Sequence, residues 1–203
     1  MLLLTNVLPL VRSPSLLGHW KMIALMVGCA LIWYSQPPLS IREAEQTKAD
    51  DRFSIYAILV AAALSIWSIE INWAYFIPNQ DGRLWLNVLG LTGLVSGISL
   101  RLWAIQTLGL SFTATVQVID NQKIITSGAY RYIRHPSYAG AYLALAGCGV
   151  LMQTWGGLVV GLISLGAAYV YRITSEERTL SAAFGQTYEH YRQQTSRLIP
   201  VIW

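Results

Sequence analysis

The chain has 203 residues, 54% hydrophobic and only 12% charged, with a formal net charge of +4. Soluble domains carry about 25% charged residues, so half that density with long uncharged runs excludes a soluble globular class and points to an integral membrane protein. The basic excess lies beside apolar runs, where cytoplasmic loops collect Lys and Arg, and it is explained without nucleic acid as a partner.

Residues 1–11 are apolar but too short to span, and they lack the basic start of a signal peptide, so they read as an interfacial or partly inserted segment. Pro14 and Gly18 then break the chain. The first span has its core over Trp20–Tyr34, with Trp20, Trp33 and Tyr34 at interface depth. Pro37 and Pro38 end it. Residues 39–52 are the most polar stretch and read as a loop or short surface helix. The second span covers Phe53–Phe76 and carries Glu70; an ionisable residue inside a span is a functional candidate by default. After a tight turn at Asn79, Gln80, Asp81 and Gly82, residues 84–106 form the third span. It holds Arg101, placed to pair with Glu70 as structure rather than catalysis, and Gly93 with Gly97, whose spacing lets helices pack closely. Cys29 and Cys148 both fall in apolar runs without Cys-x-x-Cys spacing, which argues against a disulfide frame or zinc site and makes them packing residues.

Residues 107–138 are a long polar connection, with 116–118 and 123–125 extended in character. Pro136 suits the first turn of a fourth span, where its missing N–H is no loss. That span runs over 139–152. Gln153, Thr154, Trp155 and Gly156 turn the chain into a fifth span over 157–173, making a tight helical hairpin. In residues 174–192, Leu180, Phe184, Tyr188 and Tyr191 recur at helical spacing among charges, which predicts an amphipathic helix on the membrane or over the site.

Charge sets the topology. Placing the loop at 36–52, the connection and the C-terminal tail on one side gathers Arg42, Lys48, Arg52, Lys123, Arg131, Arg134, Arg172, Arg178, Arg192 and Arg197 there, against Arg12, Lys21 and Arg83 opposite. The positive-inside rule makes the first side cytoplasmic. The expectation is an all-α integral membrane protein with about five transmembrane helices, an outside N-terminus, a cytoplasmic loop and a C-terminal amphipathic helix.

Two polar clusters then face the cytoplasm. His135 and Pro136 stand at a helix start, where free N–H groups and partial positive charge collect, with Tyr130, Tyr132 and Tyr138 nearby. Such a place suits a carboxylate together with a flat or cationic group; the same residues also suit a plain basic and aromatic belt. Arg172 and Glu176 are i,i+4 neighbours beside Glu177. They form either a helix-end ion pair of little worth, or an Arg fork for a substrate carboxylate with a Glu orienting it. No Gly-x-Gly-x-x-Gly fingerprint follows a strand, and no His, Glu and Asp set has metal-ligand spacing. His19 and His190 read as isolated surface residues.

The stretch 123–200 resembles the membrane-embedded isoprenylcysteine carboxyl methyltransferases. The likeness rests on Ile124-Ile125-Thr126-Ser127-Gly128-Ala129-Tyr130, then Arg134-His135-Pro136-Ser137-Tyr138-Ala139-Gly140. It continues through the apolar hairpin to Arg172-x-x-x-Glu176-Glu177, the Phe184-Gly185 and Tyr188 to Tyr191 run, and Ile199-Pro200. The resemblance implies S-adenosyl-L-methionine as cofactor. Its contacts would be Tyr130, His135, Pro136, Ser137 and Tyr138, with Gln122, Lys123, Ile124 and Ile125 approaching mainly through backbone, and Gln117. Arg172 and Glu176 would face the substrate. The implied activity is carboxyl O-methylation of an isoprenylcysteine-like acceptor, a lipid or lipidated small molecule or peptide entering from the bilayer while the cofactor enters from the cytoplasm. Phospholipid methyltransferases share the Arg-His-Pro core, and some sterol reductases have a related fold, so a phospholipid acceptor and a nicotinamide cofactor are the alternatives. On this reading residues 1–106 shape the lipid entrance and 107–203 form the methyltransferase core, while the sequence leaves the oligomeric state open.

Overall fold

A computed structural model describes residues 14–37, 49–77, 81–113 and 124–199. The expectations for residues 1–11, for 39–48 and for 116–118, together with Gln117, Gln122 and Lys123, lie outside these. The described helices are α1 (Trp20–Tyr34), α2 (Ala49–Phe76), α3 (Leu84–Leu108), α4 (Pro136–Met152), α5 (Trp155–Phe184) and α6 (Gln186–Gln194), with short 3-10 turns at Pro14–Gly18, Gly109–Ser111 and Gly128–Arg131. Among the described residues there is no strand beyond one isolated parallel bridge, Ile133 to Ser196.

Each boundary has a local cause. The His19 ring accepts the backbone N–H of Lys21 to open α1, and the Ser35 hydroxyl closes it on the Ile32 carbonyl at 2.7 Å. Pro136 occupies the first turn of α4. Gln153 ends α4 at φ 57, where its side-chain amide accepts from Arg83 N at 3.2 Å and donates to Asn87 Oδ1 at 3.1 Å, tying the two turns at that end together. The expected break after Ile173 is absent. No Gly or Pro separates Gly166 from Gly185, so α5 runs for 30 residues, until Gly185 at φ 54 starts α6. The amphipathic segment is therefore split. Its first half extends α5, and only Gln186–Gln194 forms a separate helix.

Among the described residues, three helices are long and apolar enough to cross a membrane, over Phe53–Phe76, Leu84–Leu108 and Trp155–Phe184. The apolar α1 and α4 have 15 and 17 residues, below the roughly 20 that a bilayer core takes. Val60, Leu64, Val88, Val95, Val159 and Ile163 are exposed on outer faces, whereas Met22, Ile69, Trp73, Leu151 and Ile173 are wholly enclosed. That is the pattern of a bundle whose solvent is lipid.

Two tight helix pairs make the frame, α3 with α4 and α2 with α5. In the first, a Cβ at Gly97 would sit 2.4 Å from Ala144 N, and one at Gly140 2.6 Å from Arg101 N. The spacing expected to serve packing does so. In the second, the hydroxyls of Ser65 and Ser68 donate to the carbonyls of Gly161 and Gly157, both at 2.9 Å. The short turn between α4 and α5 and the Tyr142 hydroxyl, which donates to Leu162 O at 3.0 Å, hold these two helices side by side, and so align the start of α4 with the far end of α5.

Two expectations are corrected here. Glu70 and Arg101 do not pair. Arg101 donates to Ser35 Oγ and to Ser137 O, both at 3.1 Å; it lies far along α3 from the turn that joins α2 and α3, whereas Glu70 lies near that turn, so the two sit at different depths. The buried Glu70 carboxyl group has no hydrogen-bond partner among the described residues. His19 is not an isolated surface residue either: it lies 3.3 Å from Asp81 Oδ1 and meets the Trp73 ring edge-on at 5.2 Å. His190 is exposed, as expected.

Candidate active site

At the end of the bundle where α4 begins, a cleft is lined by Ile124, Ile125, Tyr130, His135, Ser137, Tyr138 and Glu176. Leu108 and Phe112 close one side, and Leu180, Phe184, Tyr188 and Tyr191 the other. The order of elements explains the convergence. The connection after α3 returns through residues 124–131 beneath the α4 N-terminus, and the extended α5 carries Glu176 to the same height.

Tyr138 is the hinge of the polar part. Its hydroxyl accepts from Arg172 Nε at 3.3 Å and donates to Glu176 Oε2 at 3.1 Å. Its ring stacks on His135 with centroids 5.8 Å apart and meets Tyr169 at 4.9 Å. Arg172 also donates to Ser54 Oγ at 2.8 Å, so α2 contributes to the site from across the bundle. The i,i+4 spacing of Arg172 and Glu176 does place them on one face, but a tyrosine hydroxyl stands between them. Arg172 is only 4% exposed, while the Glu176 side chain keeps 30%.

His135 caps α4 through its backbone and leaves its ring free for side-chain contacts. Its Nε2 lies 3.4 Å from Glu177 Oε1 and its Nδ1 3.8 Å from Glu176 Oε2. Glu177, on the next residue of α5, faces away from the cleft into an ion cluster. Arg134 Nε donates to Oε1 and Arg197 Nε to Oε2, each at 2.8 Å. The backbone pairs residues 132–135 with the tail: Arg134 N donates to Ser196 O at 2.8 Å and His135 N to Arg197 O at 3.1 Å.

The tyrosines stay protonated. Burial, reinforced by the Glu176 charge, pushes the Tyr130 hydroxyl far up. Burial pushes Tyr191 up to about 12, and it donates to Tyr130 O at 2.7 Å. The Tyr188 hydroxyl is buried at the cleft wall without a partner among the described residues, and burial raises it too.

Of the residues expected to hold the cofactor, Ile124, Ile125, Tyr130, His135, Ser137 and Tyr138 come together around this cleft, and Pro136 lies between them in the first turn of α4. Glu176 lines the same space, and Arg172 reaches it through Tyr138. Sequence reasoning missed Ser54, the hub at Glu177, Arg134 and Arg197, and the orphaned Tyr188 hydroxyl. The signal available for the hub was the paired Glu176 and Glu177: on a helix, adjacent residues face different ways, so the two acids need separate cationic partners.

Residues 88–182 match the model of the isoprenylcysteine carboxyl methyltransferase (ICMT) family. A probable protein-S-isoprenylcysteine O-methyltransferase of Oryza sativa subsp. indica is 31% identical over 143 residues, 69% of this chain and 75% of that protein. The chain belongs to the isoprenylcysteine carboxyl methyltransferase family. The Arabidopsis thaliana protein-S-isoprenylcysteine O-methyltransferase B is 29% identical over 149 residues, covering 72% of this chain and 74% of its own. The Xenopus laevis enzyme is 33% identical, and this chain spans 50% of its length. The solved structure of the eukaryotic intramembrane Ras methyltransferase ICMT superposes with a TM-score of 0.68 at 26% identity, over 99% of this chain and 74% of that one. This chain is thus a multi-pass membrane methyltransferase. The family match begins within α3 and ends within α5, so it includes the cleft from Ile124 to Glu177 but not Tyr188, Tyr191 or Arg197.

Proposed function

We propose that the cleft binds S-adenosyl-L-methionine and that the protein methylates the carboxylate of an isoprenylcysteine-like acceptor. The observation that carries this reading is the Arg172–Tyr138–Glu176 relay, set between the α4 N-terminus and the lipid-facing α2. The residues present fit the cofactor. The backbone N–H groups of Ser137 and Tyr138 are in the first turn of α4, where no intrahelical acceptor exists, and they suit a carboxylate. Tyr130 offers an aromatic face to a sulfonium, and the Tyr188 hydroxyl is a buried donor without a partner among the described residues. When bound, S-adenosylmethionine supplies an electrophilic methyl group.

The protein's own residues then have a short list of tasks. An acceptor carboxylate is already anionic near neutral pH, so no side chain has to remove a proton. Tyr130 and Tyr191 hold theirs and act as neutral walls. Arg172 holds the acceptor anion, with its guanidinium oriented by Ser54 and Tyr138. Glu176 orients it from the other side of the Tyr138 hydroxyl. His135, fixed between Glu176 and Glu177, shapes the floor. Holding two reactants in register supplies roughly 7–11 kcal/mol in favourable cases, and excluding water strengthens each charge contact.

On this reading the chain crosses the membrane five times, with α1 and α4 as its two short spans and the cleft facing the cytoplasm. Residues 1–106 shape a lipid entrance, and 107–203 form the methyltransferase core. The acceptor's isoprenoid enters from the bilayer between helices. The test is methyl transfer from labelled S-adenosylmethionine to farnesylcysteine-type and phospholipid acceptors in parallel. Label on the farnesylcysteine carboxyl is expected. Label on phospholipid alone, or stabilisation by NADPH without S-adenosylhomocysteine binding, would overturn the reading.

A further inference from the structure

Glu177 is a carboxylate with a side chain 5% exposed, and it sits one residue away from the acid that lines the cleft. A buried carboxylate needs cations and hydrogen bonds to stay there. Its two oxygens are supplied differently. Oε1 is shared by Arg134 Nε at 2.8 Å and His135 Nε2 at 3.4 Å. Oε2 is held by Arg197 alone among these groups, through Nε and Nη2, both at 2.8 Å. Arg197 and Arg134, one on each oxygen, thereby set the rotation of the carboxylate about its last bond, and with it the position of the oxygen that faces the His135 ring. The same residue also takes the His135 backbone N–H on its carbonyl at 3.1 Å. Arg134 is committed elsewhere as well: its Nη1 donates to Arg192 O, at 3.0 Å, and to Thr195 O.

We propose that Arg197, in the C-terminal tail beyond the family-matched region, is a positioning residue for the cofactor pocket, acting through Glu177 to hold the His135 ring. The proposal rests on the cofactor reading above, since it gives His135 its role. Arg197 does not touch the cleft. Its side chain is 25% exposed, and methionine, a long unbranched side chain, fills much of the space that the arginine stem occupies. The tail thus positions the site: residues 196 and 197 pair by backbone with residues 132–135, the segment that enters α4, and that pairing is tightened by one arginine.

The experiment is a double-mutant cycle read by calorimetric titration of S-adenosylhomocysteine into the full-length protein in detergent. Wild type, Arg197→Met, Arg197→Lys, His135→Ala and the Arg197→Met/His135→Ala double variant are compared, with KM for cofactor and for farnesylcysteine acceptor measured on the active ones. Arg197→Met is expected to weaken S-adenosylhomocysteine by about tenfold, and Arg197→Lys to recover part of that loss. In the His135→Ala background the further effect of Arg197→Met should fall below about twofold, because coupled residues are non-additive. The cofactor KM should rise while the acceptor KM stays put. Where Arg197→Met does not fold, Arg197→Gln takes its place in the same cycle. Unchanged affinity in a folded position-197 variant, or an equal loss with and without His135, overturns the proposal while leaving the cofactor site intact. A wild-type protein that binds no S-adenosylhomocysteine removes the cofactor reading and this proposal together.

Discussion

A guanidinium that is only 4% exposed has given up most of its hydration, and Arg172 recovers part of it from Ser54 Oγ and the Tyr138 hydroxyl. Both contacts exploit the planar fork. Nε and Nη1 point in fixed, different directions, and a lysine ammonium on a flexible stem copies neither. Arg172→Lys is therefore expected to lose most methyl transfer while S-adenosylhomocysteine still binds. Losing one buried charged contact costs roughly 2–5 kcal/mol, which is about thirtyfold or more in turnover. A purely structural arginine behaves otherwise: the variant melts earlier, and whatever stays folded keeps its rate. Melting temperature, cofactor affinity and turnover on the same sample separate the two, and full activity in a folded Arg172→Lys protein would remove the carboxylate-holding role.

At the scale of elements, the site depends on how closely α3 and α4 approach. Gly97 and Gly140 lie backbone to backbone, and a methyl at either has no room. Gly97→Ala should lower the melting temperature and move Arg101 off Ser137 O, with overpacking costing roughly 1–3 kcal/mol. Gly156→Ala, whose added methyl would meet only Asn72 Nδ2 at 3.4 Å, is the control and should melt like wild type. Equal melting of the two variants would mean the helices separate freely. This packing was legible in the sequence because Gly93 and Gly97 fall one helical turn apart. So were the α4 start at Pro136 and the face shared by Arg172 and Glu176. The end of the fifth span was not. Hydropathy falls after Ile173, but helix geometry does not respond to hydropathy, and only Gly185 permits the change of direction. The adjacent acids Glu176 and Glu177 hinted at a second cationic site, but the partners of Glu177 were not legible, since Arg134 and Arg197 are 43 and 20 residues away from it, and no periodicity carries a contact of that kind.

For the whole molecule, the contacts define two ends. One gathers His19, Asp81, Arg83 and Gln153, where the turn between α2 and α3 meets the turn between α4 and α5. The other gathers Ser35, Arg101, Ser137 and the cleft. Arg131, Arg134, Arg172, Arg178, Arg192 and Arg197 all belong to the cleft end, against Lys21 and Arg83 at the opposite one. Keeping basic loops inside is what supports the proposed orientation, with the cleft on the cytoplasmic side, from which a soluble cofactor arrives. The claim is open to labelling with a membrane-impermeant maleimide on intact cells. Gln193→Cys, on the exposed face of α6, and Asp81→Cys, in the exposed turn before α3, are placed singly in a Cys29→Ala/Cys148→Ala background. Asp81→Cys should label from outside, and Gln193→Cys only after the cells are opened. Labelling of Gln193→Cys in sealed cells would invert the protein in the membrane, leave the cleft facing away from cytosolic S-adenosylmethionine, and defeat the cytoplasmic methyl-transfer reading even if the fold stood unchanged.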